Sequence, residues 1–181
     1  MKLFLLSLVF MFLVSGCSQP EKQNITRQAV ETTAPECIGM FITDIVDTHP
    51  DRVENLIICA DSIDRHKVMP GEEFSFNRIV GERTTDKGYN NAKIIIDGER
   101  GYAVGGGICQ ISSTLLGAVK SAGLTVTERH SHEAEVGYVK QGEDAAISYS
   151  TQDFKFINTL DTPVTIHIEV ADTQVKAELY R

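Results

Sequence analysis

An α+β fold, mainly antiparallel sheet packed with one central helix, is what this sequence predicts, and three observations predict it. Residues 105–109 run Gly-Gly-Gly-Ile-Cys straight into a segment with helical apolar spacing. The C-terminal half alternates apolar and polar residues in short runs between turn residues, which is the pattern of half-buried strands. About 145 residues follow a polar N-terminal stretch, enough for one domain with a full core.

The elements follow in order. Residues 38–47 (IGMFITDIVD) predict a strand. Asp51–Asp64 follows His49-Pro50 and predicts a helix, with Val53, Leu56, Ile57 and Ala60 on one face. Pro70-Gly71 is a turn, and Glu73–Phe76 alternates as a short strand. Residues 77–92 are mixed and read as loop with a little helix. Lys93–Asp97 is a strand ending on the turn signal Asp97-Gly98. The central helix runs from Cys109 to Ala122, with Ile111, Leu115, Ala118, Val119 and Ala122 on one face and Gly123 as its stop. Strands at Leu124–Arg129, Val136–Val139, Ala145–Tyr149, Phe154–Ile157, Val164–Val170 and Gln174–Tyr180 complete the sheet.

The N-terminus predicts a compartment. Met1-Lys2 is a basic start, Leu3–Val14 is an apolar run, and Val14-Ser15-Gly16-Cys17 follows. The run is short for a bilayer span and has the layout of an export signal. Its last four residues resemble the lipobox of bacterial lipoproteins, which implies cleavage after residue 16 and lipidation of Cys17. Residues 17–36 are polar, with the composition of a flexible linker; extended, such a stretch reaches at most ~60 Å at roughly 3.3 Å per residue. The expected layout is signal peptide 1–16, linker 17–36 and a domain at 37–181, held at the outer side of a membrane as a cell-surface or periplasmic lipoprotein. The formal net charge of −8 argues against nucleic acid, which asks for a basic stripe, and leaves the lipid as the membrane contact.

Four cysteines are present. With Cys17 assigned to lipid, Cys37, Cys59 and Cys109 remain, an odd number for an exported chain. Cys37 and Cys59 lie in apolar-rich segments and read as core thiols, or else as one disulfide. Cys109 has glycine before it and hydroxyls after it. Its place at a helix N-terminus, where unpaired N–H groups and the helix dipole favour a thiolate, makes it the candidate nucleophile.

A thiol nucleophile needs a base and something to orient that base. His49 and His66 lie near turns and His167 lies mid-strand, so all three read as surface positions. His130 and His132 end the strand that returns from the Cys109 helix, which brings both within reach of the thiol. His132 is the expected base, with His130 as the second choice, and Asp144 is the expected carboxylate on the imidazole. Backbone N–H groups around Gly107–Gln110 are the expected oxyanion donors, and Ser112 and Ser113 sit one turn above Cys109. His-x-His with Cys109 also fits a zinc set, although neither His-Glu-x-x-His nor Cys-x-x-Cys occurs. Ser-x-x-Lys is absent at Ser112 and Ser113, which weakens a serine route.

These motifs together resemble the VanW-domain family. The carriers are Pro70–Asn77 (PGEEFSFN), Gly88-Tyr89, Gly105–Leu115 (GGGICQISSTL), Ala122–Leu124, Glu128–His132 (ERHSH), Val136–Tyr138, Gly142–Ala145 (GEDA) and Asp153–Asn158 (DFKFIN). The resemblance covers roughly residues 37–170. It implies a cell-wall role, because some members act as L,D-transpeptidases that join peptidoglycan stem peptides by 3-3 cross-links through the cysteine of Gly-Gly-Gly-x-Cys. Carried over, it implies Cys109 as nucleophile, His132 or His130 as base, and stem-peptide contacts at Gly105, Gly106, Gly107, Gln110, Ser112, Ser113 and Tyr138, with no cofactor. Water in place of the acceptor amine would make an L,D-carboxypeptidase. Many members have His-Ser or His-Thr where this chain has His132-Glu133. The other readings are a non-catalytic wall-binding or glycopeptide-resistance accessory protein, and a zinc hydrolase using His130, His132 and Cys109.

Overall fold

The computed structural model describes residues 34–96, 99–171 and 173–181. The expected signal segment, Cys17 and most of the expected linker lie outside the described residues, as does the expected Asp97-Gly98 turn. In chain order the elements are β1 (Cys37–Asp44), α1 (Pro50–Ile63), β2 (Lys67–Val68), β3 (Glu73–Ser75), α2 (Phe76–Val80), a 3-10 turn (Thr85–Lys87), β4 (Asn91–Ile96), β5 (Glu99–Val104), α3 (Cys109–Ser121), β6 (Thr125–Glu128), β7 (Lys155–Ile157), β8 (Val164–Ala171) and β9 (Gln174–Tyr180). The fold is α+β, and every strand pair is antiparallel.

Four strands in the order β1-β9-β8-β2 make the main sheet, with a smaller sheet β3-β7-β6 and a ribbon β4-β5. The alternation in β8 and β9 sends Val164, Ile166, Ile168, Val175, Ala177 and Leu179 inward. On them sit α3, which packs against β1 and β9, and α1, which packs against β8. Leu56, Cys59, Ile63, Ile111 and Leu115 fill the layer between. Phe74 stacks on Phe156 at 5.0 Å between ring centres and joins the small sheet to the same core.

The approach of α3 to β1 decides which strand residues are buried. Gly39 lies under Ala118 and Ala122, and Gly117 lies under the Phe41 ring. Only small or flat groups fit there, so Met40 and Ile42 point to solvent while Gly39 and Thr43 are buried. A methyl group at Gly39 would come within 2.7 Å of both the Ala122 Cβ and its backbone nitrogen. Gly39→Ala is therefore expected to destabilise the domain by about 1–3 kcal/mol, the range of overpacking. Thermal unfolding measures it, and an unchanged melting temperature would refute this tight contact.

Several expectations need correction. Cys37 is exposed at the start of β1 and is no core thiol; Cys59 is buried, and neither forms a disulfide. Residues 77–92 are loop with a little helix as expected, in α2 and the 3-10 turn, but β2 and β5 are strands that the local pattern did not signal. Val136–Val139 is not a strand, because Gly137 takes φ +80° and breaks the extended run. Ala145–Tyr149 is not one either, apart from a single bridge from Ser148 to Gln152. Its backbone is satisfied by side chains of α3 instead: Ser113 Oγ accepts from the Ala145 N–H at 2.9 Å, and Ser112 Oγ donates to the Ala145 carbonyl at 2.6 Å. At the start of β1, Glu36 exchanges backbone hydrogen bonds with Arg181 and pairs with its guanidinium at 2.8 Å, so chain pairing extends into the expected linker.

Candidate active site

The site begins where the glycine run meets α3. Asn55, buried on α1, donates to the carbonyls of Asn90 and Gly106, each at 3.0 Å, and accepts from the Asn90 N–H at 2.7 Å. One amide side chain therefore pins the glycine run to the start of β4. Gly106 lies flat against the backbone of Ala92 and Lys93, with no room for a side chain. Gly107 takes φ +108° beside the Arg52 guanidinium, a conformation that favours glycine. The chain then turns into α3 at Cys109.

The Cys109 sulfur is half-buried and accepts from the Ile147 N–H at 3.4 Å. The N–H groups of Ile108 and Gln110 are bonded to Gly105 and Gly107 carbonyls. Among the described residues, those of Gly107 and Cys109 have no backbone acceptor. Two donors are thus left beside the sulfur, a suitable pair for a developing oxyanion.

His132 stands over this thiol. Its Nδ1 lies 2.6 Å from Asp144 Oδ2, and its backbone N–H donates to the same oxygen at 2.7 Å. Because an ionised carboxylate only accepts, Nδ1 carries a proton in either charge state of the ring, and Nε2 is the nitrogen that takes up and gives up the second one. Burial works against a charged imidazole. Hydrogen bonding and charge from Cys109, together with Asp144, outweigh it and push the His132 pKa up to about 9. Asp144 is only 2 % exposed, and Arg129 braces it, donating Nε to the Asp144 carbonyl at 2.7 Å with Nη2 3.9 Å from Oδ1. Cys109, His132 and Asp144 have the geometry of nucleophile, base and orienting carboxylate.

The other expected site residues divide. His130 is not brought to the thiol: its Nε2 lies 3.1 Å from Glu128 Oε1. Lys155 and His130 together hold the Glu128 carboxyl down to about 2. His130, His132 and Cys109 therefore do not converge as a zinc set, and among the described residues no three His, Cys, Asp or Glu side chains are grouped to hold a metal. Tyr138 does reach the site. Its phenol pKa is raised by burial and by negative charge at Cys109.

Gln110, Ser112 and Ser113 are fully buried and turned away from any substrate. Gln110 donates to Thr43 Oγ1 at 3.0 Å and to the Asp44 carbonyl at 2.9 Å, and accepts from Arg52 at 3.2 Å. Both serines donate to the Cys109 carbonyl, at 3.0 and 2.7 Å, and clip the 145–147 segment to α3. Gly105 and Gly106 are buried packing positions. Of the three glycines, Gly107 alone is partly exposed.

Local reading missed Asn55, Arg52 and Arg129. Asn55 had one signal: a polar residue between Val53, Leu56 and Cys59 on a buried helix face. The surface histidines are as expected for exposed His49. His167 is also at the surface, paired with Asp64 at 3.2 Å, whereas His66 packs edge-on to Phe74. A surface depression on the solvent face of the main sheet is lined by Asp64, His167, Glu178 and Tyr180 and includes none of the catalytic candidates. Among the described residues no helix is long and apolar enough to cross a membrane.

Comparison with known proteins places this geometry in a family. Residues 51–180 match the family described as VanW like protein. The chain is 46% identical over 129 residues to the uncharacterized protein YoaR of Bacillus subtilis, covering 71% of this chain and 43% of that protein. It is 29% identical over 136 residues to the vancomycin B-type resistance protein VanW of Enterococcus faecalis, covering 72% of this chain and 49% of that protein. The chain thus spans less than half the length of either relative. No solved structure matches it. On the extent of the family match and its relatives, the chain belongs to the VanW-like protein family.

Proposed function

We propose that the protein is a cysteine acyltransferase on peptidoglycan, an L,D-transpeptidase working through a Cys109 acyl-enzyme. One observation carries the reading: the His132 imidazole is bonded through Nδ1 to buried Asp144 and lies near enough to the thiol that opens α3 for Cys109 to raise its pKa. The resistance protein among its relatives supports a cell-wall setting.

In this reaction His132 Nε2 takes the thiol proton, and the sulfur adds to the carbonyl of the third stem residue. The N–H groups of Gly107 and Cys109 face the oxyanion. Collapse breaks the amide, the departing D-alanine amine takes the proton from His132, and a thioester remains on Cys109. A diaminopimelate amine of a second stem then attacks, His132 accepts its proton, and the thiol is restored with a 3-3 cross-link formed. Water as acceptor gives the carboxypeptidase product. Every proton is passed by His132, and no external oxidant or reductant is required. The lipid on Cys17 would hold the domain at the wall, with the linker as its tether.

The test is to recover the protein from the membrane fraction and incubate it with disaccharide-tetrapeptide. Mass spectrometry is expected to show D-alanine release, a thioester on Cys109 and a 3-3 dimer. Folded protein that binds the tetrapeptide without releasing D-alanine would favour the non-catalytic accessory reading and overturn this one.

A further inference from the structure

Arg52 is a cation that the catalytic chemistry above does not use. It lies in the first turn of α1, one turn before Asn55, so α1 supplies both the pin that fixes the glycine run and the charge beside it. Its guanidinium crosses Gly107: a Cβ there would lie 2.9 Å from Nη1 and 3.2 Å from Cζ. A side chain at 107 would expel Arg52 from this place. One acceptor holds it, Gln110 Oε1 at 3.2 Å from Nη2. Nε is buried with no hydrogen-bond partner, and Nη1 has none among the described residues. Buried donors are nearly always paired.

No carboxylate among the described residues lies within ion-pair distance of it. Asp47 feels the Arg52 charge but pairs with Lys93 Nζ at 3.3 Å. Gln110 is itself fixed by Thr43 and the Asp44 carbonyl, and Thr43 is hydrogen-bonded to Thr114 at 2.8 Å. The guanidinium is thus aimed by a buried polar chain running from β1 to α3, at a point two residues before the nucleophile.

We propose that Arg52 is a substrate-binding residue that receives a peptide carboxylate next to the scissile amide. A guanidinium presents paired N–H donors in a fork that matches a carboxylate; here Nε is buried and Nη2 has one bond to Gln110, so the Nη1–Nη2 edge is the side that would receive it. Resting on the stem-peptide reading above, the assignment names what that substrate must carry. Two carboxylates lie close to the bond to be cut: the terminal one on the departing D-alanine, and the one on the diaminopimelate side chain.

The experiment measures binding to Cys109→Ala protein by calorimetry, so that turnover does not enter. The probes are the tetrapeptide, the same peptide amidated at its C-terminus, and the same peptide amidated on diaminopimelate. With Arg52 present, one of the two amidations is expected to weaken binding about 10-fold or more, and which one identifies the carboxylate. Arg52→Gln is expected to weaken the free acid by the same factor and leave that amidated peptide unchanged; Arg52→Lys restores part of the loss. A loss of equal size on all three peptides would show a merely structural role and overturn the assignment. Equal binding of all three by the Arg52 protein would overturn it as well, leaving the stem-peptide reading intact. No binding of any peptide by folded protein would sink both.

Discussion

Cys109→Ala is expected to cut tetrapeptide turnover by about 10⁶-fold, the scale on which removing a nucleophile from a coupled catalytic unit acts. The variant loses the atom that forms the thioester, so intact mass should show no acyl adduct after incubation with substrate. It also loses the sulfur that accepts from the Ile147 N–H, which should cost about 0.5–1.5 kcal/mol of stability, the net value of one hydrogen bond. Cys109→Ser keeps an acceptor there and serves as the folding control. An alanine variant that still forms 3-3 dimers would place the nucleophile elsewhere.

Asp144→Asn has the second largest expected effect, a drop in kcat of about 10²–10⁴-fold, as when an orienting carboxylate is replaced in comparable triads. The carboxylate accepts from both the ring and the backbone N–H of His132. An amide can donate to Nδ1 instead, which moves the ring proton to Nε2 and leaves nothing to take the thiol proton. The pH dependence should change with it. His132 is raised to about 9, so the charged ring persists to that value and the alkaline limb of the rate profile lies there. A group whose folded value is raised gives stability that is full below its ordinary value, here 6.5, and is lost as pH rises through about 9. Losing Asp144 removes one of the groups that raise it. The alkaline limb should shift downward, and the stability gained on acidification from pH 9 to 6.5 should shrink. A limb that stays near pH 9 would separate Asp144 from the titration of His132.

How much of this could be read from the chain depends on distance along it. α3 and the β8-β9 hairpin were legible because their patterns are local: Ile111, Leu115, Ala118 and Val119 repeat at helical spacing, and β8 and β9 alternate. The place of Cys109 at the start of α3 and the pairing of His132 with Asp144 were legible because each residue occurs in a recognisable motif. Gln110, Ser112 and Ser113 were misjudged because polar residues beside a nucleophile suggest substrate contacts. What buries them is β1 and the 145–147 segment, which arrive from 67 and 32 residues away along the chain. The same contact hid the true state of Ala145–Tyr149, whose alternation imitates a strand while its partners are hydroxyls. Arg52 and Asn55 gave little warning, since their partners, the Gln110 side chain and the Asn90 and Gly106 carbonyls, are brought near only by the folded topology. Met40 and Ile42 face outward for a reason written in Gly39 and Gly117, a close helix–sheet approach that no pattern within one element contains.

The serine clips between α3 and the 145–147 segment also bear on how the site opens. Hydroxyls of Ser112 and Ser113 tie that segment to the turn carrying the sulfur, and Asp144 is its immediate neighbour. Local opening would therefore release carboxylate, imidazole and the Ile147 N–H as one cooperative unit. The amides of Ala145 and Ile147 would exchange with solvent together, and a molecule caught in that state would hold a thiol with neither base nor partner. Armed and disarmed forms then differ by one small opening step, with no intermediate in which half of the catalytic group remains in place.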